Sequence, residues 1–421
     1  MSILKIRSGT ELLGRVSGIA VLALIFMSAV VLSSCGDSDE GEQLRIGYLG
    51  DYEGWSDTVE IQKVVELAID HINMAGGVNG MDVKLIYADA PENVAVETAN
   101  RLIEQGVSAF VGPSRSAIAE PVAEKVAGVK KVPFISPGST ATHIRDAEDM
   151  DFMFRMALPD LVQGKVLADL ISENGINKIS ILYDEGDSYS AGLEKDFTDE
   201  YTGTVQESMT VDMADSLTGG TALLVIDFPN SVRDALKKLI TDKKFEKYYF
   251  TDSTKSEEFL NELKSHADSE GIAPDPIEGS KGTGPVEISD DLKEAFNAKY
   301  NRYPNAAFLA EAYDATVALA LAAQMAGSFD STAIRDNLRS VTSGEGEEIM
   351  PGVESLKKGL ELAGQGDAIN YNGASGSIDW DSDGEVCSAK FTTWQYTNGK
   401  ISTLSEDSEV NPGGVNEPAC M

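Results

Sequence analysis

From residue 44 onward, short apolar runs alternate with stretches whose apolar residues return every three or four positions. LRIGYLG at 44–50 is a run of the first kind and ends in glycine. Ile61, Val64, Val65, Ala68, Ile69 and Ile72 then mark one face of an amphipathic helix, and Gly76-Gly77 and Asn79-Gly80 terminate it. The alternation continues through VKLIYAD (83–89), a helix over 94–105, SAFVGP (108–113), a helix over 117–127, and VPFISP (132–137). It restarts after 152–155 with a helix over 161–174, KISILYD (178–184), a helix over 191–201, TALLVID (221–227), a helix over 232–240 and KYYFTD (247–252). Strands spaced by helices in this way predict βαβ units and parallel sheets. The chain reads as two α/β units of similar build, with a crossing at 156–160 and a second break, rich in Pro and Gly, at 271–285. Helices are expected over 290–300 and 306–325, and the alternation over 376–399 predicts an antiparallel hairpin.

The N-terminus follows another pattern. Lys5, Arg7 and Arg15 precede an uncharged apolar run at 16–32, and Leu-Ser-Ser-Cys follows. A basic start, an apolar centre and small residues before a cut site describe a secretory signal peptide. The ending resembles a lipobox, with Ser34 where Gly or Ala is commoner. That resemblance implies lipidation of Cys35 and a protein held at a membrane, in the periplasm or on the outer face of the cell membrane. A cleaved soluble form and an uncleaved anchor are the alternatives. Residues 35–43, CGDSDEGEQ, read as an acidic tether. With Cys35 lipidated, Cys387 and Cys420 are left as an even pair, expected to form a disulfide outside the cytoplasm, the alternatives being two free thiols or a partner elsewhere.

Composition narrows the function. The 421 residues include 42% hydrophobic and 24% charged, enough for a folded core, and the formal charge is −35. Such a balance excludes nucleic acid as partner, because phosphate binding needs concentrated Lys and Arg. His71, His143 and His266 are scattered without metal-ligand spacing. Asp379, Asp381, Asp383 and Gly384 imitate the start of a calcium loop, but its twelfth position is Lys390. There is no Gly-rich phosphate loop and no grouping of nucleophile, base and orienter. No metal, cofactor or enzymatic activity is expected.

Two strands end in small hydroxyl residues: Gly112-Pro113-Ser114-Arg115-Ser116 and Ser136-Pro137-Gly138-Ser139-Thr140. Such residues form turns; they also supply donors for a carboxylate. Several stretches together resemble the type I periplasmic binding proteins of branched-chain amino acid transporters: INMAGGVNG (72–80), FVGPSRSAIAEPVA (110–123), VPFISPGST (132–140), ILYDEGDSYSAG (181–192), YPNAAFLAEAYDAT (303–316) and GSIDWDSDGEV (376–386). The resemblance runs over 44–399. It implies an α/β fold of two doubly wound, Rossmann-like lobes around a central cleft, joined by three crossings. The expected lobes are 44–157 with 284–345, and 158–283 with 346–400, followed by an acidic tail at 401–421.

The resemblance also implies a monomer that captures an amino acid or amide-like ligand and delivers it to an ABC transporter permease. A sensing lipoprotein of the same fold is the alternative, and a lipoprotein enzyme a more distant one. Matching residue by residue, the implied ligand contacts are Ser114, Ser116, Gly138, Ser139 and Thr140 for a carboxylate or amide head. Asp252 would take an ammonium, and Tyr189, Phe228 and Trp55 would close over the ligand. Arg115 reads as a solvated or lobe-bridging charge.

Overall fold

The computed structural model describes residues 42–387 and 389–410. The signal-like segment, Cys35, most of the tether and Cys420 lie outside the described residues. Cys387 is buried and disulfide-bonded, with its partner outside the described residues.

The first lobe opens with β1 (Arg45–Gly50), α1 (Thr58–Met74), β2 (Lys84–Asp89), α2 (Ala95–Glu104) and β3 (Ala109–Val111). It continues with α3 (Ser116–Val122), a π-helical turn (Ala123–Ala127), α4 (Gly128–Lys130), β4 (Phe134–Ser136) and β5 (Met153–Arg155). The helix expected over 117–127 runs without a gap from Ser116 to Lys130 and holds a π-helical turn at its centre. Pro121 has no N–H to donate, and the π turn follows directly after it. The five strands form a parallel sheet in the order β2-β1-β3-β4-β5.

The second lobe contains α5 (Asp160–Glu173), β6 (Lys178–Tyr183), α6 (Ser188–Glu200), β7 (Thr204–Thr210) and β8 (Gly220–Ile226). After these come α7 (Pro229–Thr241), β9 (Phe245–Phe250), α8 (Glu257–Ser269) and β10 (Lys281–Pro285). The chain then returns to the first lobe with α9 (Asp290–Tyr300), α10 (Leu309–Ala326), α11 (Ser331–Thr342), β11 (Glu347–Ile349), α12 (Val353–Gln365) and β12 (Ile369–Tyr371). It ends in the second lobe with β13 (Ala389–Thr397) and β14 (Lys400–Val410). The second sheet is ordered β14-β13-β10-β9-β8-β6-β7. Its run from β7 to β10 is parallel and repeats the order of the first sheet; β13 and β14 add antiparallel edges.

Three sequence expectations need correction. Residues 346–386 do not join the second lobe: α12 packs on α10 and α1, and β11 pairs with β12 beside it. Leu356, Leu360 and Ala363 carry that packing by adding their apolar faces to the core around Leu321. The hairpin is β13–β14 rather than 376–399, whose first half takes part in the isolated bridges Asn372↔Ser377 and Trp380↔Val386. Residues 401–410 are consequently strand, not tail. Strands β7, β10, β11 and β12 also escaped the pattern. TVQESMT (β7) is a polar, half-exposed edge. KGTGP (β10) is glycine-rich because a Cβ at Gly282 would stand 2.4 Å from the Trp394 ring and 2.5 Å from the Phe250 carbonyl oxygen.

Helix α10 is buried along residues 309–323 and apolar on nearly every side, as the central helix of a lobe must be. Two carboxylates lie inside it. Asp314 is fully satisfied: it accepts from the Tyr371 hydroxyl at 2.6 Å, the Ser375 hydroxyl at 2.6 Å, and the Ser375 and Ala374 N–H groups at 2.7 and 2.8 Å. Glu311 has no such shell. Its Oε2 is buried without a partner, and burial pushes the carboxyl up to about 8. A carboxyl that keeps its proton to higher pH in the folded chain stabilises the fold fully below its unfolded value, near 4.5, and loses that contribution as pH rises through about 8. Thermal unfolding at pH 5.5 and 8.5 is expected to show the higher midpoint at the lower pH. Glu311→Gln should narrow the gap by raising the pH 8.5 midpoint.

Candidate ligand-binding site

Both sheets use the same doubly wound order, which opens a crevice where neighbouring connections leave in opposite directions. In the first lobe that point lies between the loops after β1 (51–57) and β3 (112–115). In the second it lies between the loops after β6 (184–187) and β8 (227–228). The two crevices face each other. Trp55, Ser114, Arg115, Ser116, Gly138 and Phe308 from one side, and Tyr189, Phe228, Asp252 and Ser253 from the other, enclose about 220 Å³ measured to the atom surfaces. A water-sized sphere can place its centre in only ≈ 10 Å³ of that space. The lobes are closed.

The first-lobe wall is a braced pair of loops. Gly112 takes φ +86°, and a Cβ there would sit 2.9 Å from the Leu49 carbonyl oxygen, so the turn into Pro113 needs glycine. The Ser136 hydroxyl lies 2.6 Å from both the Pro113 carbonyl oxygen and the Ser139 hydroxyl, which is itself 3.2 Å from Pro113 O. Ser139 thus spends its hydroxyl stapling one loop to the other and is fully buried, so its expected role as a ligand donor is corrected. Thr140 is not among the residues that line the enclosure, although its hydroxyl is buried without a partner. It lies behind the cavity wall, where its N–H donates to Ser116 Oγ at 3.2 Å and its carbonyl accepts from Asp160 at 2.7 Å. Ser116 Oγ also accepts from Ala141 N–H at 3.1 Å, which leaves the hydroxyl proton for the cavity. Ser114 Oγ is buried and unpartnered. Gly138 lies under Phe308, whose ring a Cβ would meet at 3.0 Å.

Asp252 anchors the second-lobe wall. Its Oδ1 accepts from the Tyr189 hydroxyl at 2.7 Å and from Gln163 Nε2 at 2.6 Å, and Gln163 also reaches Thr283 at 3.0 Å. Burial holds the Asp252 carboxyl above the usual range, against the hydrogen bonds that favour its charged form. Asp160 is buried nearby with both oxygens unpartnered, and burial followed by the Asp252 charge raises it far more. Burial also lifts Asp57 to about 7, although Asp57 accepts from Ala307 N–H at 3.1 Å. Of these carboxyls Asp252 lines the enclosure, and a cation bound beside it would offset its desolvation.

Aromatic rings complete the enclosure. Trp55 meets Phe228 and Phe308 edge-on, with centroids 5.8 and 6.0 Å away, and Tyr189 leans on Phe228 at 5.5 Å. Trp55 Nε1 is buried without a partner. Across the cleft, Arg115 donates to Asp51 at 2.5 Å and to Asp187 at 2.8 Å. Asn230 donates to the Glu53 carbonyl at 2.7 Å, and the Thr142 hydroxyl to Asp196 at 2.7 Å. Trp55, Ser114, Ser116, Gly138, Tyr189, Phe228 and Asp252 were all expected at the site and are brought together here. Phe308, Ser253 and Gln163 were missed. Phe308 caps α10 with φ +60°, a conformation that no sequence pattern announces for an aromatic residue. Among the described residues no cluster of His, Cys, Asp and Glu could hold a metal ion. The calcium-like run is a turn in which Asp381 Oδ1 accepts from the N–H groups of Asp383 and Glu385.

Two doubly wound lobes closed on a small pocket with polar ends and aromatic sides define a type I, two-lobed binding protein. Residues 60–266 match the family described as receptor family ligand binding region. The chemotactic signal transduction system substrate-binding protein BasB of Halobacterium salinarum is 24% identical over 339 residues, covering 76% of this chain and 78% of that one. The leucine-, isoleucine-, valine-, threonine- and alanine-binding protein of Pseudomonas aeruginosa is 29% identical over 296 residues, covering 66% and 76%. The leucine-binding protein LivK of Thermotoga maritima superposes with a TM-score of 0.69 at 20% identity, covering 88% of this chain and 99% of its own. The branched-chain amino acid transporter substrate-binding protein LivJ of Streptococcus pneumoniae, solved with isoleucine, gives 0.68 at 23% identity, covering 88% and 100%. These matches support a type I periplasmic binding protein of the branched-chain amino acid family.

Proposed function

We propose that this chain captures a free α-amino acid outside the cytoplasm and delivers it to the permease of an ABC importer. It would act as a monomer tethered through a lipid on Cys35. The observation that carries the reading is the polarity of the pocket. Buried Asp252 stands at the second-lobe end, while Ser114 and Ser116 offer hydroxyls at the first-lobe end. A zwitterion fits that pair: its ammonium meets the acidic end and its carboxylate meets the donors. Contact with both lobes favours closure over opening, and the closed form is what a permease would recognise.

A thermal-shift screen of the twenty amino acids tests this. Ligand at a hundred times its dissociation constant adds about 2.7 kcal/mol to the folded state, so at least one amino acid should raise the midpoint clearly. No shift from any of them would count against the proposal, and so would mass-spectrometric evidence that a bound amino acid is chemically altered. A sensing role is a second reading, supported by the similarity to the chemotactic BasB protein. It predicts the same ligand but no uptake by permease-bearing vesicles.

A further inference from the structure

Arg115 is held on three sides. Its Nη1 donates to Asp51 of the first lobe at 2.5 Å, and its Nη2 donates to Asp187 of the second at 2.8 Å. Its guanidinium carbon lies 4.4 Å over the Phe228 ring. The side chain is 17% exposed, its two acidic partners 5% and 7%. Asp187 is doubly committed, since its Oδ1 caps α6 by accepting from Tyr189 and Ser190 N–H at 3.0 and 3.1 Å. The guanidinium therefore forms part of the cavity wall and spans the cleft.

The remaining space is small. About 220 Å³ is left between the lining atoms. The polar groups at the two ends claim the part of it nearest the head group. Arg115 is the one cation among the lining residues, and displacing it would leave two buried carboxylates without their counter-charge. We infer that Arg115 is the residue that limits the ligand's side chain, so that the cleft selects α-amino acids with short side chains, and that its ion pair with Asp187 latches the lobes. This inference rests on the reading that the ligand is an α-amino acid.

Titration calorimetry with alanine and leucine tests it on three proteins. The wild-type chain should bind alanine at least tenfold more tightly than leucine. Arg115→Ala should shrink that ratio at least tenfold by opening the wall, and Arg115→Met serves the same purpose should the alanine variant unfold. Asp187→Asn keeps a capping side chain and the shape of the pocket but removes the latch charge. It should weaken both ligands about tenfold and leave their ratio unchanged. Leucine binding the wild type as tightly as alanine, or a ratio unmoved when Arg115 is replaced, overturns the size limit while leaving the proposed function standing. Unchanged affinities in Asp187→Asn overturn the latch. Binding of neither amino acid to the wild type removes the proposed function, and this inference with it.

Discussion

Asp252→Asn is expected to weaken amino acid binding about a hundredfold while raising the melting midpoint of the ligand-free protein at neutral pH. The first effect follows from the ammonium losing its counter-charge in a closed pocket; breaking such a desolvated pair costs about 2–5 kcal/mol. The second follows from the raised carboxyl. Asp252 is buried, and burial raises its carboxyl despite the hydrogen bonds from Gln163 and Tyr189. The charged form is therefore disfavoured in the fold, a cost that a neutral amide does not carry. The substitution leaves the neighbours supported, because Tyr189 keeps Thr251 at 2.8 Å and Gln163 keeps Thr283 at 3.0 Å. Opposite signs for affinity and stability mark a residue kept for binding. A loss of both together would mean that Asp252 is a structural group, and it would contradict the assignment.

Arg155→Met is expected to cost about 3–5 kcal/mol of stability in denaturant unfolding, the loss seen when one partner of a buried ion pair is removed. Arg155 is 1% exposed and stands at the end of β5, where the chain first leaves the first lobe. Its Nε donates to Glu385 Oε1 at 2.7 Å and its Nη2 to Glu385 Oε2, close to where the chain crosses for the last time. Its Nη1 donates to the Ala141 carbonyl at 2.8 Å and the Ser139 carbonyl at 3.3 Å. One side chain thus pins the loop behind Gly138 to the crossing near residue 385. Arg155→Met with Glu385→Leu should recover most of the loss, because no charge is then left unpaired. If the double variant were as unstable as the single one, the geometry of the loop rather than the charge would be the cause.

The sequence was most informative where burial imposes a period. The apolar runs of β1, β3, β6 and β8 and the helical face of α1 were legible because both sides of each sheet are covered. The strand ends Ser114, Ser116 and Gly138 were legible from their turn chemistry and from the family resemblance. What escaped depends on contacts distant along the chain. Ser139 looks like Ser114 in sequence, yet it faces Pro113 rather than the cavity. Phe308 enters the wall through a left-handed backbone set by the packing of α10. Gln163 reaches Asp252 from 89 residues away. The allegiance of α12 was hidden because its amphipathic face fits either lobe until the partner helix is known.

The central claim is that one α-amino acid is held between the lobes by its two charged ends. A crystal structure of the protein with its best amino acid from the thermal-shift screen tests this most directly. The account predicts the ligand ammonium within hydrogen-bond distance of the Asp252 carboxyl and the ligand carboxylate on the hydroxyls of Ser114 and Ser116. A ligand seated elsewhere, or one lying in this cleft with its carboxylate toward Asp252, would contradict it.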